Sequence, residues 1–277
     1  MKTVLICHED ALLDNEGMRR WLASFSNLAG VVVLRETRRR TFQRVKREIT
    51  RSGRLRFIDV LAFRFYYKSA LARRDGQWEE ARLDELRQRY PEPSGVEVLI
   101  TSSPNSAEAE EFIRRLAPDF VIARCKTLLK ESVFTIPAKG TFVIHPGICP
   151  EYRNAHGCFW ALAEGDLKNV GATLLRIDKG VDTGPVYGYF GYDFDEVNES
   201  HIVISHRVVF DNLDEIADRL IAIHQGAASV IDTSLRRSAV WGQPWLSSFL
   251  SWKREARRRN AAGAKSGNRA VGVRTGD

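Results

Sequence analysis

Cysteine is scarce. The chain has four in 277 residues (Cys7, Cys125, Cys149 and Cys158), and no two form a Cys-x-x-Cys pair. That excludes a disulfide-rich secreted scaffold and points to a reducing, cytoplasmic setting. Long apolar runs are also missing. No stretch approaches the ~20 residues of a membrane span, so no membrane partner is expected. The N-terminal run Val4-Leu5-Ile6-Cys7 is too short for a signal peptide, and Glu9 and Asp10 follow soon after. What remains is ordinary globular composition, 44% hydrophobic and 28% charged. It is enough for a real core, in one large α/β domain or two small ones.

The net charge is +7 and unevenly placed. A basic run extends from Arg35 to Arg56 and includes Arg38, Arg39, Arg40, Lys46 and Arg51, opposed by Glu36 and Glu48. A second extends from Lys253 to Arg274. Such runs suit a phosphate-bearing substrate or nucleic acid. They suit a solvated helix face and a solubilising tail equally well, and that plainer reading is the one basic runs alone favour.

Periodicity divides the chain. Thr3 to Cys7 reads as a buried strand, and Met18, Trp21, Leu22 and Phe25 share one helical face. Val31 to Leu34 is a second strand. Residues 36–92 form an insertion, closed by Pro91 and Pro93. Phe42, Val45 and Ile49 suggest a basic amphipathic helix there, and Leu55 to Leu71 an aromatic one. The insertion could cover a substrate pocket, carry a homodimer interface or brace the sheet. Strands are then expected at 97–101, 119–123, 141–144, 171–177 and 186–190. Asn105 with Glu108 fits a helix N-cap and its reciprocal acid. A short helix is expected at 128–134. A long helix near His206 carries Leu213, Ile216, Leu220 and Ile223 in phase and stops at Gly226. This alternation argues an α/β fold, a Rossmann-like, mainly parallel sheet with helices on both faces. The expected division is a catalytic domain over 1–235, an extension over 236–260 and a disordered tail over 261–277.

Two segments carry the chemistry. The first is Gly140-Thr141-Phe142-Val143-Ile144-His145-Pro146-Gly147-Ile148-Cys149-Pro150-Glu151-Tyr152-Arg153. The second is Asp178-Lys179-Gly180-Val181-Asp182-Thr183-Gly184-Pro185. They place an ionisable His and an ionisable Asp on loops at probable strand ends, where α/β sheets gather ligands. Duller readings exist: His145 as a strand-end hydrogen bonder, Asp182 as a turn residue and Arg153 as a partner of Glu151. His145, Cys149, His156 and Cys158 also invite a zinc reading, but their spacing fits no standard zinc motif, so no metal is expected. Cys149 and Cys158 read as small buried residues rather than nucleophiles.

Together the two segments resemble the formyltransferase family that uses 10-formyltetrahydrofolate and includes methionyl-tRNA, glycinamide ribonucleotide and sugar N-formyltransferases. The family pattern runs Asn-x-His-Pro-Ser/Gly-Leu-Leu-Pro-x-Tyr/Trp-Arg-Gly, then Asp-x-Gly-x-Asp-Thr-Gly-Pro. The second part matches at every fixed position. The first matches at His145, Pro146, Gly147, Pro150, Tyr152 and Arg153, but Val143 stands for the catalytic Asn and Asn154 for Gly. The resemblance implies formyl transfer from 10-formyltetrahydrofolate to a small amine, with His145 and Asp182 as the acid–base pair. It places the folate near Arg124, Cys125, Leu128, Ile136, Gly140 and Asp178, along segments 122–129 and 133–140. Arg153, Tyr152 and His156 would face a substrate that could be phosphorylated or nucleotide-linked. The tRNA enzymes carry a further β-barrel domain, for which the residues after Gly226 are too few and too polar.

Acyl transfer to an amine needs a group that titrates near neutrality and a donor aimed at the developing oxyanion. Val143 has no side-chain donor, and removing one such donor typically lowers turnover ~100- to 1000-fold. Three outcomes follow. Asn154, His156 or Asn105 replaces the carboxamide, or the enzyme runs slowly or on another donor, or the site only binds. Formyltetrahydrofolate hydrolysis and a catalytically impaired folate- or nucleotide-binding role are the alternatives; RNA binding through the basic segments ranks last.

Overall fold

The computed structural model describes residues 1–35 and 53–266. The helix expected from Phe42, Val45 and Ile49, and the basic run from Arg38 to Arg51, lie outside the described residues. The strands are β1 (Lys2–His8), β2 (Asn27–Leu34), β3 (Glu97–Thr101), β4 (Phe120–Arg124), β5 (Gly140–His145), β6 (Arg153–Asn154), β7 (Ala172–Arg176), β8 (Val186–Phe190) and β9 (Val240–Trp241). The helices are α1 (Met18–Phe25), α2 (Arg54–Tyr66), α3 (Ala72–Arg89), α4 (Ala107–Leu116), α5 (Glu131–Phe134), α6 (Gly157–Ala163), α7 (His201–Phe210), α8 (Leu213–Gln225) and α9 (Leu246–Ser266).

Seven strands form one sheet in the order β3-β2-β1-β4-β5-β7-β8. It is parallel from β3 to β5, and β7 and β8 add antiparallel. The alternation of strand side chains explains the two covered faces. Leu5 and Cys7 of β1 enter one core, while Val4 and Ile6 enter the other beneath α4. Met18, Trp21 and Leu22 of α1 are buried, and the Trp21 indole donates to the Leu213 carbonyl at 3.0 Å. Each such large side chain contributes roughly 1.5–3 kcal/mol through burial.

Within the described part of the insertion, α2 runs through one π turn (Tyr67–Leu71) into α3. Both helices brace the main core. Phe63 of α2 sits 5.8 Å from Phe159 and 5.3 Å from Phe249, ring centre to ring centre. Leu83 and Leu86 of α3 are buried. The buried Asp75 carboxylate accepts from Ser200 Oγ at 2.6 Å, and Ser200 in turn caps α7. The C-terminal segment is equally integral. Phe249, Trp252 and Ala256 of α9 belong to the main core, and the Lys253 ammonium donates to the carbonyls of Glu196, Val197 and Glu199.

Three local expectations change. The expected long helix is two, α7 and α8, because Asn212 Nδ2 takes the Val208 carbonyl at 3.0 Å and ends the first. Ser106, not Asn105, caps α4 by accepting from the Ala109 N–H. Helix α9 runs through Ser266, across the 260/261 boundary where disorder was expected to begin.

His201 is 2% exposed and ringed by Phe63, Phe159 and Phe249. Burial first, then the nearby His156 and Lys253 charges, holds its pKa well below 6.5. The unfolded chain therefore takes up a proton below pH ~6.5 that the folded chain refuses, and stability falls as pH drops, by up to ~1.4 kcal/mol per pH unit. Burial also lowers the pKa of His156 and of His206 to about 4, so His201→Phe should make the urea-midpoint profile between pH ~6.5 and ~5 less steep without flattening it. An unchanged acid limb would show that His201 does not drive it.

Candidate active site

β5 turns Phe142 and Ile144 into the main core and, by alternation, Val143 and His145 to the opposite face. There a cleft of about 180 Å³ opens near the C-terminal ends of β4 and β5. Its floor is Ala123, Val143 and Leu175. Its walls are the 125–129 loop and the 177–182 turn, which folds back over the face. A larger cleft, about 300 Å³, lies between Asn27–Leu28 and Pro91–Val96, at the N-terminal ends of β2 and β3. Parallel sheets bind ligands at their carboxyl ends, which selects the first.

His145 lies at the end of β5 and is 6% exposed. Its Nε2 is 2.9 Å from the Tyr152 carbonyl oxygen. A carbonyl only accepts, so Nε2 carries the hydrogen and Nδ1 is left with its lone pair. Nδ1 lies 3.8 Å from Asp182 Oδ2. That is too long for a hydrogen bond but close enough to stabilise an imidazolium once Nδ1 gains a proton. Asp182 is itself held, since Oδ2 accepts the Asn154 backbone N–H at 2.8 Å.

This geometry depends on a doubled-back loop. Gly147 and Gly157 lie back to back. A Cβ on Gly157 would come 2.5 Å from the Gly147 Cα and 2.7 Å from the Tyr152 carbonyl oxygen. A Cβ on Gly147 would come 2.7 Å from both His145 Nε2 and the Tyr152 carbonyl oxygen, so the bare glycine leaves room for their contact. Asn154 sits at φ 77°, a conformation Asn tolerates better than most side-chain-bearing residues, which explains Asn where the family pattern has Gly. Asp178 Oδ1 accepts from the Gly180 N–H and the Thr183 hydroxyl, shaping the turn that presents Asp182.

The cleft gathers His145, Asp182, Asn154, Cys125, Leu128 and Asp178 from the expected residues. Seven others do not line it. Arg124 turns away to Asp14 and the Ile144 carbonyl. Ile136 packs in the core under α4, and Gly140 begins β5 at its far end, so segment 133–140 stands apart from the cleft. Tyr152 is buried, donates to Asp166 and stacks on Trp241. Arg153 donates to the Val181 carbonyl at 2.9 Å and thereby braces the Asp182 turn. His156 stands behind the cleft, bonded to Gln243. Its pKa is lowered to about 4 by crowding protein first and then by the Lys126 charge. Asn105 is committed to the 128–130 loop through Leu128 O and Lys130 N.

Other residues enter that periodicity and motif reading did not single out. Lys126 and Lys179 line the cleft, and Lys179 is paired with Glu131 at 3.1 Å. The C-terminal segment closes the loop from behind. β9 pairs with β6, and Trp241 stacks on Trp160 at 4.9 Å. Arg236 grips Glu151 through two bonds of 2.8 Å. Only a three-dimensional register could reveal these contacts. Burial pushes the Cys149 thiol up and that of Cys158 to about 12, so neither is a ready nucleophile. Among the described residues no group of three or more His, Cys, Asp or Glu side chains is placed to hold a metal ion. None of the described helices is long and apolar enough to cross a membrane.

Residues 78–210 match the family model described as formyl transferase. A methionyl-tRNA formyltransferase from Kosmotoga olearia is 37% identical over 93 residues, 33% of this chain and 30% of that protein. One from Thermotoga neapolitana is 30% identical over 141 residues, 48% of this chain and 45% of that protein. The match thus spans less than half the length of these relatives. Among solved structures, a sugar N-formyltransferase from Shewanella sp superposes with a TM-score of 0.52 at 14% identity, covering 87% of this chain and 77% of that one. A phosphoribosylglycinamide formyltransferase from Anaplasma phagocytophilum gives 0.52 at 14% identity, covering 87% and 99%. At such identities the structural likeness establishes the fold.

Alanine at a first helical turn is ordinarily no worse than glycine. Gly157→Ala should nonetheless lower unfolding free energy by ~1–3 kcal/mol, because its contacts are backbone atoms that cannot step aside. A denaturation midpoint equal to or above the parent's would contradict the back-to-back contact.

Proposed function

Because residues 78–210 match the formyl transferase family model, we propose that the chain belongs to that family and moves a formyl group from 10-formyltetrahydrofolate to the amine of a small substrate. The observation that carries this reading is His145 Nδ1, bare of hydrogen, facing the cleft 3.8 Å from Asp182. The amine nitrogen attacks the formyl carbon, and the carbonyl electrons move onto oxygen. Nδ1 takes the amine's proton, and the Asp182 carboxylate stabilises the resulting imidazolium. Collapse breaks the bond to the folate nitrogen, which takes the proton back. The products are the formamide and tetrahydrofolate, and no metal enters.

The cleft of about 180 Å³ is below the ~300–1,000 Å³ of a typical ligand site, which suits one end of the folate together with the amine. Backbone groups of the 125–129 loop would hold the pteridine. The described residues after Gly226 form the β6–β9 ladder and a core helix behind this cleft. With Arg153 bonded to Val181, a phosphate on that amine would need a different cation.

Calorimetry with 5-formyltetrahydrofolate should give micromolar binding that Arg124→Ala leaves unchanged. His145→Ala should bind equally well and lose ~10²–10⁴-fold in tetrahydrofolate release from 10-formyltetrahydrofolate. Absence of folate binding by the parent chain would sink the reading. Formate release without any amine would redirect it to hydrolysis.

A further inference from the structure

The cleft lacks the carboxamide that the family pattern places at position 143, so the formyl oxygen needs another donor. The expected substitutes are engaged. The Asn154 carboxamide donates to the Trp241 carbonyl, and that of Asn105 to the Leu128 carbonyl. His156 is outside the cleft. The His145 Nε2 hydrogen is given to Tyr152. Of the two lysines lining the cleft, Lys179 pairs its ammonium with Glu131.

Lys126 differs. It lines the same cleft as Val143 and His145 and makes no ion pair among the described residues. Its backbone is fixed, because its N–H donates to Nε2 of the buried His8, at the end of β1, at 3.1 Å. The adjoining Cys125 thiol reaches the Thr127 carbonyl at 3.4 Å, which tightens the same turn. Lys126 is thus a cation on a braced loop beside β5, with its side chain unspent.

Resting on the formyl-transfer reading, we infer that the Lys126 ammonium stabilises the oxyanion formed when the amine adds to the formyl carbon, in place of the family's Asn. No group changes oxidation state. The carbonyl oxygen gains the electron pair, the ammonium balances its charge without giving up a proton, and the pair returns as the folate nitrogen leaves. Lys126 is exposed, so its flexible ammonium is free to swing to the developing oxyanion, where a full positive charge can supply what one amide donor does.

The test follows tetrahydrofolate release from 10-formyltetrahydrofolate, with 5-formyltetrahydrofolate calorimetry to verify the pocket. Lys126→Met should bind folate as the parent does and lose ~100- to 1000-fold in kcat. Lys126→Arg should keep most of the rate. Val143→Asn placed in the Lys126→Met background should restore at least ~10-fold, because it returns the missing donor. An undiminished Lys126→Met rate, or a loss that Val143→Asn does not repair, overturns the assignment while leaving formyl transfer standing. A parent chain that binds no folate, or binds it without release, overturns formyl transfer and this assignment together.

Discussion

The contact between Gly147 and Gly157 is the constraint on which the site depends. Two backbones meet where neither could carry a side chain. That closure turns residues 148–156 back on themselves and sets the Tyr152 carbonyl against His145. The carbonyl fixes the tautomer, which exposes Nδ1 to the cleft. The same loop then offers its Asn154 N–H to Asp182. The spacing of His145 and Asp182 here follows from backbone packing, with charge added last.

The sheet supplies the rigid half of the arrangement. β1, β4 and β5 are central and mostly buried; β1 and β5 end at His8 and His145, and Lys126 lies in the loop just past β4. The other half is the antiparallel pair β7–β8 and the turn between them. Arg153 couples the two halves by holding the Val181 carbonyl. Its guanidinium thereby braces the Asp182 turn.

Much of this was legible in the sequence because it is local. Strands β1, β3 and β8 follow short apolar runs, and the His145 and Asp182 turns have dense, distinctive residue patterns. Pairings between distant segments were hidden. Asn105 looks like a cap until the 128–130 loop competes for its amide. Asn212 looks like a mid-helix residue until its side chain takes a helix carbonyl. Arg124 belongs to the right strand end, but Asp14, which lies far away in sequence, draws its side chain off the cleft. Helix α9 reads as a polar extension because its buried residues, Phe249, Trp252 and Ala256, are widely spaced among charges.

The β6–β9 ladder has a consequence for the order in which the protein is made. Arg153 and Asn154 take their second strand from Val240 and Trp241, and Trp241 stacks on the ring of Tyr152. On a ribosome, His145 and Asp182 emerge well before these partners. The doubled-back loop is then without its rear wall, and the main core lacks Phe249 and Trp252. A nascent chain can present His145 and Asp182 without holding them, so the pair is fixed only once residues 240–256 have emerged. Chains truncated before Val240 should accordingly lose the fixed His145–Asp182 spacing altogether rather than keep part of it.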